Sequence, residues 1–224
     1  MHTPVLLAWS GGKDSILALA ALRRDPSYRV VGLLTTVTSE FDRVSMHGIR
    51  RAILHDQATA LDLPVFEARL TPGASNADYD AAWAQAIQTA WDAVGGGHHI
   101  AYGDLFLADI RQFREDQARR LSYTPLFPLW GEDTTRLAGH FIDAGYEAYL
   151  TCVDTTQLAG DFAGRRFDRS LLADFPSSVD PCGERGEFHT CVVGGPLFRN
   201  SIAVQHGETV LRDARFAYCD LIKP

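Results

Sequence analysis

Lysine is almost missing from this chain: of its 21 Lys and Arg residues, only Lys13 and Lys223 are lysines. Long basic runs are missing too, and the formal net charge is -7. That balance disfavours nonspecific attachment to a nucleic-acid backbone or an anionic membrane. No apolar stretch approaches the roughly 20 residues that a membrane-spanning helix needs. Cysteine is scarce, with Cys152, Cys182, Cys191 and Cys219 and no C-x-x-C pair. This speaks against a zinc ribbon or a disulfide scaffold. The first residues read as a strand rather than as a charged-then-apolar leader. A cytoplasmic protein with reduced thiols is expected, with no membrane and no nucleic-acid partner.

What is present is ordinary globular material: 224 residues, 46% hydrophobic and 22% charged. That length suits one compact domain with a modest appended subdomain. Val5–Trp9 reads as a buried strand, and Asp14–Arg24 as a helix closed by Asp25-Pro26. Tyr28–Val37 and Pro64–Leu70 read as strands around a helix that carries Ile49, Ile53 and Ala60. Asn76–Val94 has an apolar stripe at helical spacing, including Trp83 and Trp91, for which core packing is the expected role. His98–Tyr102 and Glu147–Val153 complete the strands, with helices around Ile110–Leu121 and Leu137–Phe141. This alternation predicts an α/β fold, a mostly parallel sheet with helices on both faces. Beyond about Asp154 the rhythm breaks into shorter pieces, ending in a hairpin pattern split by His206-Gly207-Glu208. The expected division is 1–153 as a nucleotide-binding domain and 154–224 as a small C-terminal subdomain.

In such a sheet, ligands bind beyond the carboxyl ends of the strands. The first such end is Ser10-Gly11-Gly12-Lys13-Asp14-Ser15. Adjacent glycines permit a tight bend that offers N–H groups to an anion, and the following helix adds its positive end. Ser10 and Ser15 supply hydroxyls, and Lys13 a compact ammonium unlike the guanidinium used elsewhere. Asp14 would repel bare phosphate, so it is expected to help hold Mg²⁺ or to cap the helix. A Walker A loop is ruled out, because Leu7 and Asp14 stand where Gly and Ser or Thr are required, and no G-x-G-x-x-G fingerprint occurs.

Ser10–Ser15 after an N-terminal strand resembles the PP-loop of N-type ATP pyrophosphatases. Met46-His47-Gly48, expected to open the second helix, Gly103-Asp104 and the block Asp180-Pro181-Cys182-Gly183-Glu184-Arg185-Gly186-Glu187-Phe188-His189-Thr190 narrow it. In this order they resemble the diphthine–ammonia ligase family (diphthamide synthase, ATP-binding domain). The likeness spans nearly the whole chain.

The resemblance implies an adenine nucleotide α-hydrolase-like, Rossmann-like sheet whose PP-loop grips the ATP phosphates, with Mg²⁺ as companion ion. It implies adenylation of an acceptor carboxylate, on a small molecule or a protein side chain, with pyrophosphate released. Ammonia or an amine then displaces AMP. Thr35, Thr36 and His47 fall where family proteins place adenosine. Gly103 and Asp104 lie at another strand end, with Asp104 expected to contact metal or ribose. Arg111 and Arg114, on the next helix, are expected on its solvated face, with contact to phosphate or the acceptor as the alternative. Glu184, Glu187 and His189 are the expected chemical groups outside the loop: the carboxylates to bind Mg²⁺ or take a proton from ammonia, and the imidazole to shuttle one. Cys152 as a persulfide carrier is the weaker expectation. A nucleotide sensor without turnover and a tRNA-modifying PP-loop enzyme are the competing readings, and a homodimer is left open.

Overall fold

The computed structural model describes residues 2–224. Five parallel strands form the first sheet: β1 (Thr3–Ala8), β2 (Tyr28–Thr38), β4 (Val65–Leu70), β5 (His99–Ala101) and β6 (Thr124–Leu126). Their spatial order is β4-β2-β1-β5-β6, with the short antiparallel β3 (Arg43–Val44) attached to the end of β2. The chain builds outward from β1 to one edge, then returns to lay β5 on β1's other side. The crevice beyond β1 and β5 is therefore the topological switch point.

Side-chain alternation in β1 divides the core. Val5 and Leu7 pack into the cluster shared with α1 (Lys13–Arg24) and α2 (Arg51–Leu61). Leu6 points the opposite way, into a cluster with Trp83, Ile87, Ala90 and Trp91 of α3 (Asn76–Val94) and Ala118 of α4 (Ala108–Leu121). Helices thus cover both faces, and the expected α/β class holds. The bounds of α3 follow from its ends: Ser75 and Asp78 form a reciprocal capping box, and Gly95 closes the helix at φ 89°.

A second sheet is antiparallel, in the order β8-β7-β10-β9. Its strands are β7 (Glu147–Asp154), β8 (Phe188–Gly194), β9 (Gln205–Arg212) and β10 (Phe216–Ile222). The helices α5 (Thr134–Asp143) and α6 (Arg169–Asp174) flank it in sequence. The strand expected at Glu147–Val153 as part of the parallel sheet instead starts this second one, a strand earlier than the change of rhythm near Asp154. Burial on both sides made it read as parallel, because the second sheet packs into the same core as the first.

Two other expectations shift. The terminal hairpin turns at Asp213 and Ala214, both at positive φ, and not at His206-Gly207-Glu208. Gly207 lies within β9, where a Cβ would come within 3.2 Å of Asp220; the glycine marks a close strand approach, not a turn. Met46-His47-Gly48 precedes α2, which starts at Arg51, and forms a turn with Met46 and Gly48 at positive φ.

The two sheets share one apolar interior, in which fully buried Phe141 of α5 meets Phe167 edge-on at 5.4 Å between ring centroids. Phe141→Ala should cost about 3–5 kcal/mol of unfolding free energy, read from denaturant melts. A loss below about 1 kcal/mol would show that the interface is not part of the core.

Candidate active site

The switch-point crevice is a cleft of about 510 Å³. The turn after β1 forms its floor. Gly11 takes φ 82°, and a Cβ there would lie 2.8 Å from Gln57 Oε1, so only glycine fits. Ser10 Oγ and Ser15 Oγ are 2.9 Å apart, closing the turn across its mouth. Two amides of the turn are already engaged. Gly12 N–H donates to Ser10 Oγ at 3.3 Å, and Lys13 N–H to the Thr190 hydroxyl at 3.0 Å. An anion bound at Gly12 and Lys13 would have to take over donors that hydroxyl groups now hold.

Lys13 is 2% exposed, and its ammonium donates to both Asp14 oxygens, at 2.9 and 2.8 Å, and to the Cys182 carbonyl. Burial alone would lower its pKa, but Asp14 reverses that and holds it above the ordinary value, so the charge persists. Burial lifts the Asp14 carboxyl against the pull of Lys13. About 29% of the Asp14 side chain stays exposed. Asp14 does not cap α1: the N-cap is Gly12, without a side-chain hydrogen bond.

Asp104 and Arg114 form the next group. Their closest polar atoms are 3.7 Å apart, and Asp104 Oδ2 and Arg114 Nε are both buried without a hydrogen-bond partner among the described residues. Burial raises the Asp104 pKa; Arg114 opposes this and Asp14 adds to it. Arg114, expected on a solvated helix face, lies instead over the Tyr102 ring at 4.7 Å and lines the cleft. Arg111 does face away, stacked on Phe127 and Trp130 and paired with Glu115. Gly103 is required because a Cβ would meet the Asp14 backbone at 3.0 Å. Two carboxylates that feel one another, one with an orphaned oxygen, suit a divalent cation that keeps phosphate oxygens and water in its shell. On that chemistry Asp14 and Asp104 fit Mg²⁺.

The loop before β8 closes the opposite wall. Glu184 Oε1 accepts from Leu105 N–H at 2.8 Å, and burial, reinforced by Asp14, pushes its pKa up to about 7 despite that bond and the nearby Lys13. Glu187 does not reach the cleft. It is 1% exposed, and its oxygens accept from Asp180 N–H at 2.8 Å and Arg185 N–H at 2.9 Å. Its role here is to shape the loop that carries Glu184. His47 and His189 line the cleft with ring centroids 4.4 Å apart. Burial lowers His47 to about 4, and burial with His47 and Lys13 lowers His189 well below its usual value. Burial thus favours the neutral form of both imidazoles. Thr35 and Thr36 line the cleft, and the Thr35 hydroxyl is buried without a partner among the described residues.

The turn carrying His47 is fastened to the second sheet. Thr151 Oγ1 donates to the His47 carbonyl at 3.0 Å, Arg43 bridges Gly48 O and Asp220, and Gly48 packs against Tyr218. All four thiols are buried. Cys152 does not line the cleft, and burial raises it to about 11, which keeps it protonated and unsuited to carrying sulfur. Sequence reading passed over Gln57 and Thr134, and gave Thr190 no role of its own. No local pattern marks a residue whose partner is more than 100 positions away, as with Thr190 on Lys13.

Glu184 gives a pH prediction. A carboxyl raised from 4.5 to about 7 binds its proton more tightly folded than unfolded, so its stabilising effect is complete below pH 4.5 and lost as pH rises through 7. His47 and His189, shifted down, act in the opposite sense at lower pH. The difference between Glu184→Gln and wild type should therefore move in favour of the variant from pH 4.5 to about 7. A pH-independent difference in denaturant midpoints would rule out the raised carboxyl.

Residues 133–223 match the family model described as Diphthamide synthase C-terminal domain, a span that contains the whole second sheet. The chain is also similar to curated proteins named diphthine–ammonia ligase. The Schizosaccharomyces pombe protein is 24% identical over 218 residues, 90% of this chain and 36% of that protein. The Danio rerio protein is 32% identical over 121 residues, 50% of this chain and 46% of that protein. The Homo sapiens protein is 30% identical over 114 residues, 48% of this chain and 43% of that protein. The chain spans less than half the length of these relatives. These matches bear out the likeness to diphthine–ammonia ligases read from the sequence, and the family model takes in Gly183–Thr190. Among the described residues no helix is long and apolar enough to cross a membrane.

Proposed function

We propose, with the likeness to diphthine–ammonia ligases as premise, that this chain is an ATP-dependent, AMP-forming amide ligase. One observation carries the reading. Lys13, Asp14, Asp104, Arg114 and Glu184, from separate parts of the sequence, line a single cleft at the switch point of the parallel sheet.

The turn Ser10–Ser15 receives the β- and γ-phosphates of ATP. Lys13 exchanges the Cys182 carbonyl for phosphate oxygens, and Ser10 and Ser15 donate hydroxyls to the same group. Asp14 and Asp104 would hold Mg²⁺, which when bound neutralises charge on the departing pyrophosphate. Thr35, Thr36 and His47 border the space for the adenosine. An acceptor carboxylate oxygen bonds to the α-phosphorus as the bond to pyrophosphate breaks. Ammonia then bonds to the acyl carbon, AMP leaves, and the proton shed by nitrogen passes to Glu184. A carboxyl titrating near 7 is matched to that transfer at neutral pH. Glu187 acts through Glu184 by fixing the loop. The names of the relatives point to diphthine and ammonia as the substrates; the acceptor here is a carboxylate on a protein side chain or a small molecule.

In functional terms we place the nucleotide unit on the parallel sheet and the acceptor-facing unit on the antiparallel sheet, so the boundary expected at 153/154 moves ahead of β7. The second sheet closes the cleft through Glu184, His189 and Thr190. A sensor without turnover has no use for a carboxyl tuned to neutrality.

Incubating the protein with MgATP, ammonium and candidate carboxylates should release AMP and pyrophosphate. Lys13→Ala should slow this on the order of 10²- to 10³-fold, the effect typical of removing one donor aimed at developing charge. Dominant ADP release, or full AMP formation by Lys13→Ala, would overturn the reading.

A further inference from the structure

Gln57 is fully buried in the middle of α2, where an amide is costly unless every polar atom is satisfied. Here every one is. The indole N–H of Trp9 donates to Gln57 Oε1 at 2.9 Å. That bond fixes the orientation of the amide, because an indole only donates, so the oxygen must face Trp9. The two N–H groups of Nε2 then point the other way, and two carbonyls stand there: Gly11 O at 3.0 Å and Val192 O at 2.7 Å. Val192 N–H donates to the same Gly11 oxygen at 2.9 Å. One side chain thus ties the left-handed glycine of the phosphate turn to the middle of β8, with no donor to spare.

Resting on the reading of that turn as the ATP-binding element, we propose that Gln57 is its positioning residue. It touches no reacting atom. It holds the Gly11 peptide in the one orientation that turns the following amides and Lys13 toward the cleft, and it makes β8 part of the phosphate site. Glutamate has the right shape but cannot donate to two carbonyls when ionised. Leucine removes the side-chain donor from both carbonyls, leaving Gly11 O only the Val192 amide, and leaves the Trp9 N–H without its acceptor.

The test is MgATP affinity by calorimetry for wild type, Gln57→Glu, Gln57→Leu and Trp9→Phe, with circular dichroism to measure the folded fraction. Gln57→Glu and Gln57→Leu should bind MgATP about tenfold more weakly per folded molecule, as expected for unmade buried hydrogen bonds. Trp9→Phe keeps both carbonyl contacts but frees the amide to flip, and should bind about threefold more weakly. Leu171→Ala, a buried change in α6 outside the cleft, should lower the melting temperature yet leave the dissociation constant unchanged. Folded Gln57 and Trp9 variants that bind MgATP like wild type would overturn the proposal. A wild-type protein that binds no MgATP would instead overturn the ATP reading on which it rests. If the Gln57 variants do not fold, Trp9→Phe decides.

Discussion

The arrangement depends on one contact between sheets: β8 lies along the glycine turn after β1. Val192 reaches Gly11, and Thr190 reaches the amide of Lys13. Nearly everything in the cleft follows from this apposition. It brings the Cys182 carbonyl onto the Lys13 ammonium, and it carries the loop whose Glu184 grips the backbone at Leu105. The parallel sheet alone would offer a conventional switch-point crevice. The antiparallel sheet turns that crevice into an enclosure in which buried charges answer one another.

The electrostatics of the enclosure have a consistent logic. Desolvation moves every titratable group toward its neutral form: Asp104 and Glu184 upward, His47 and His189 downward. Lys13 resists because Asp14 lies directly against it. The result is a cleft with two firmly held cations, Lys13 and Arg114, two uncharged imidazoles and a carboxyl balanced between its forms. A polyanion entering with its own counter-ion would relieve the mutual strain of the two aspartates and meet a lysine that has never lost its proton.

Much of this was legible in the sequence, and for identifiable reasons. The α3 helix announced itself because its stripe, capping box and terminal glycine all agree. The Ser10–Ser15 turn was legible because a strand, two glycines and a helix start can meet in few ways. What stayed hidden depended on distance. Arg114 looked like a solvated helix residue until Tyr102, twelve positions earlier, proved to lie beneath it. Glu187 looked equivalent to Glu184, yet the backbone amides of its own loop consume its oxygens. The sheet membership of β7 escaped because two sheets sharing one core erase the period-two pattern that would separate them.

The turn holding His47 is pinned to β7 and β10 by Thr151, Asp220 and the face of Tyr218 pressed on Gly48. The far wall, with Glu184 and His189, leads directly into β8 of the same sheet. Both jambs of the doorway are therefore cut from one slab. Neither can swing alone, so admitting a bulky guest means tilting the whole antiparallel layer against the parallel one. Such a tilt would stretch the Gly11–Val192 seam at the same moment.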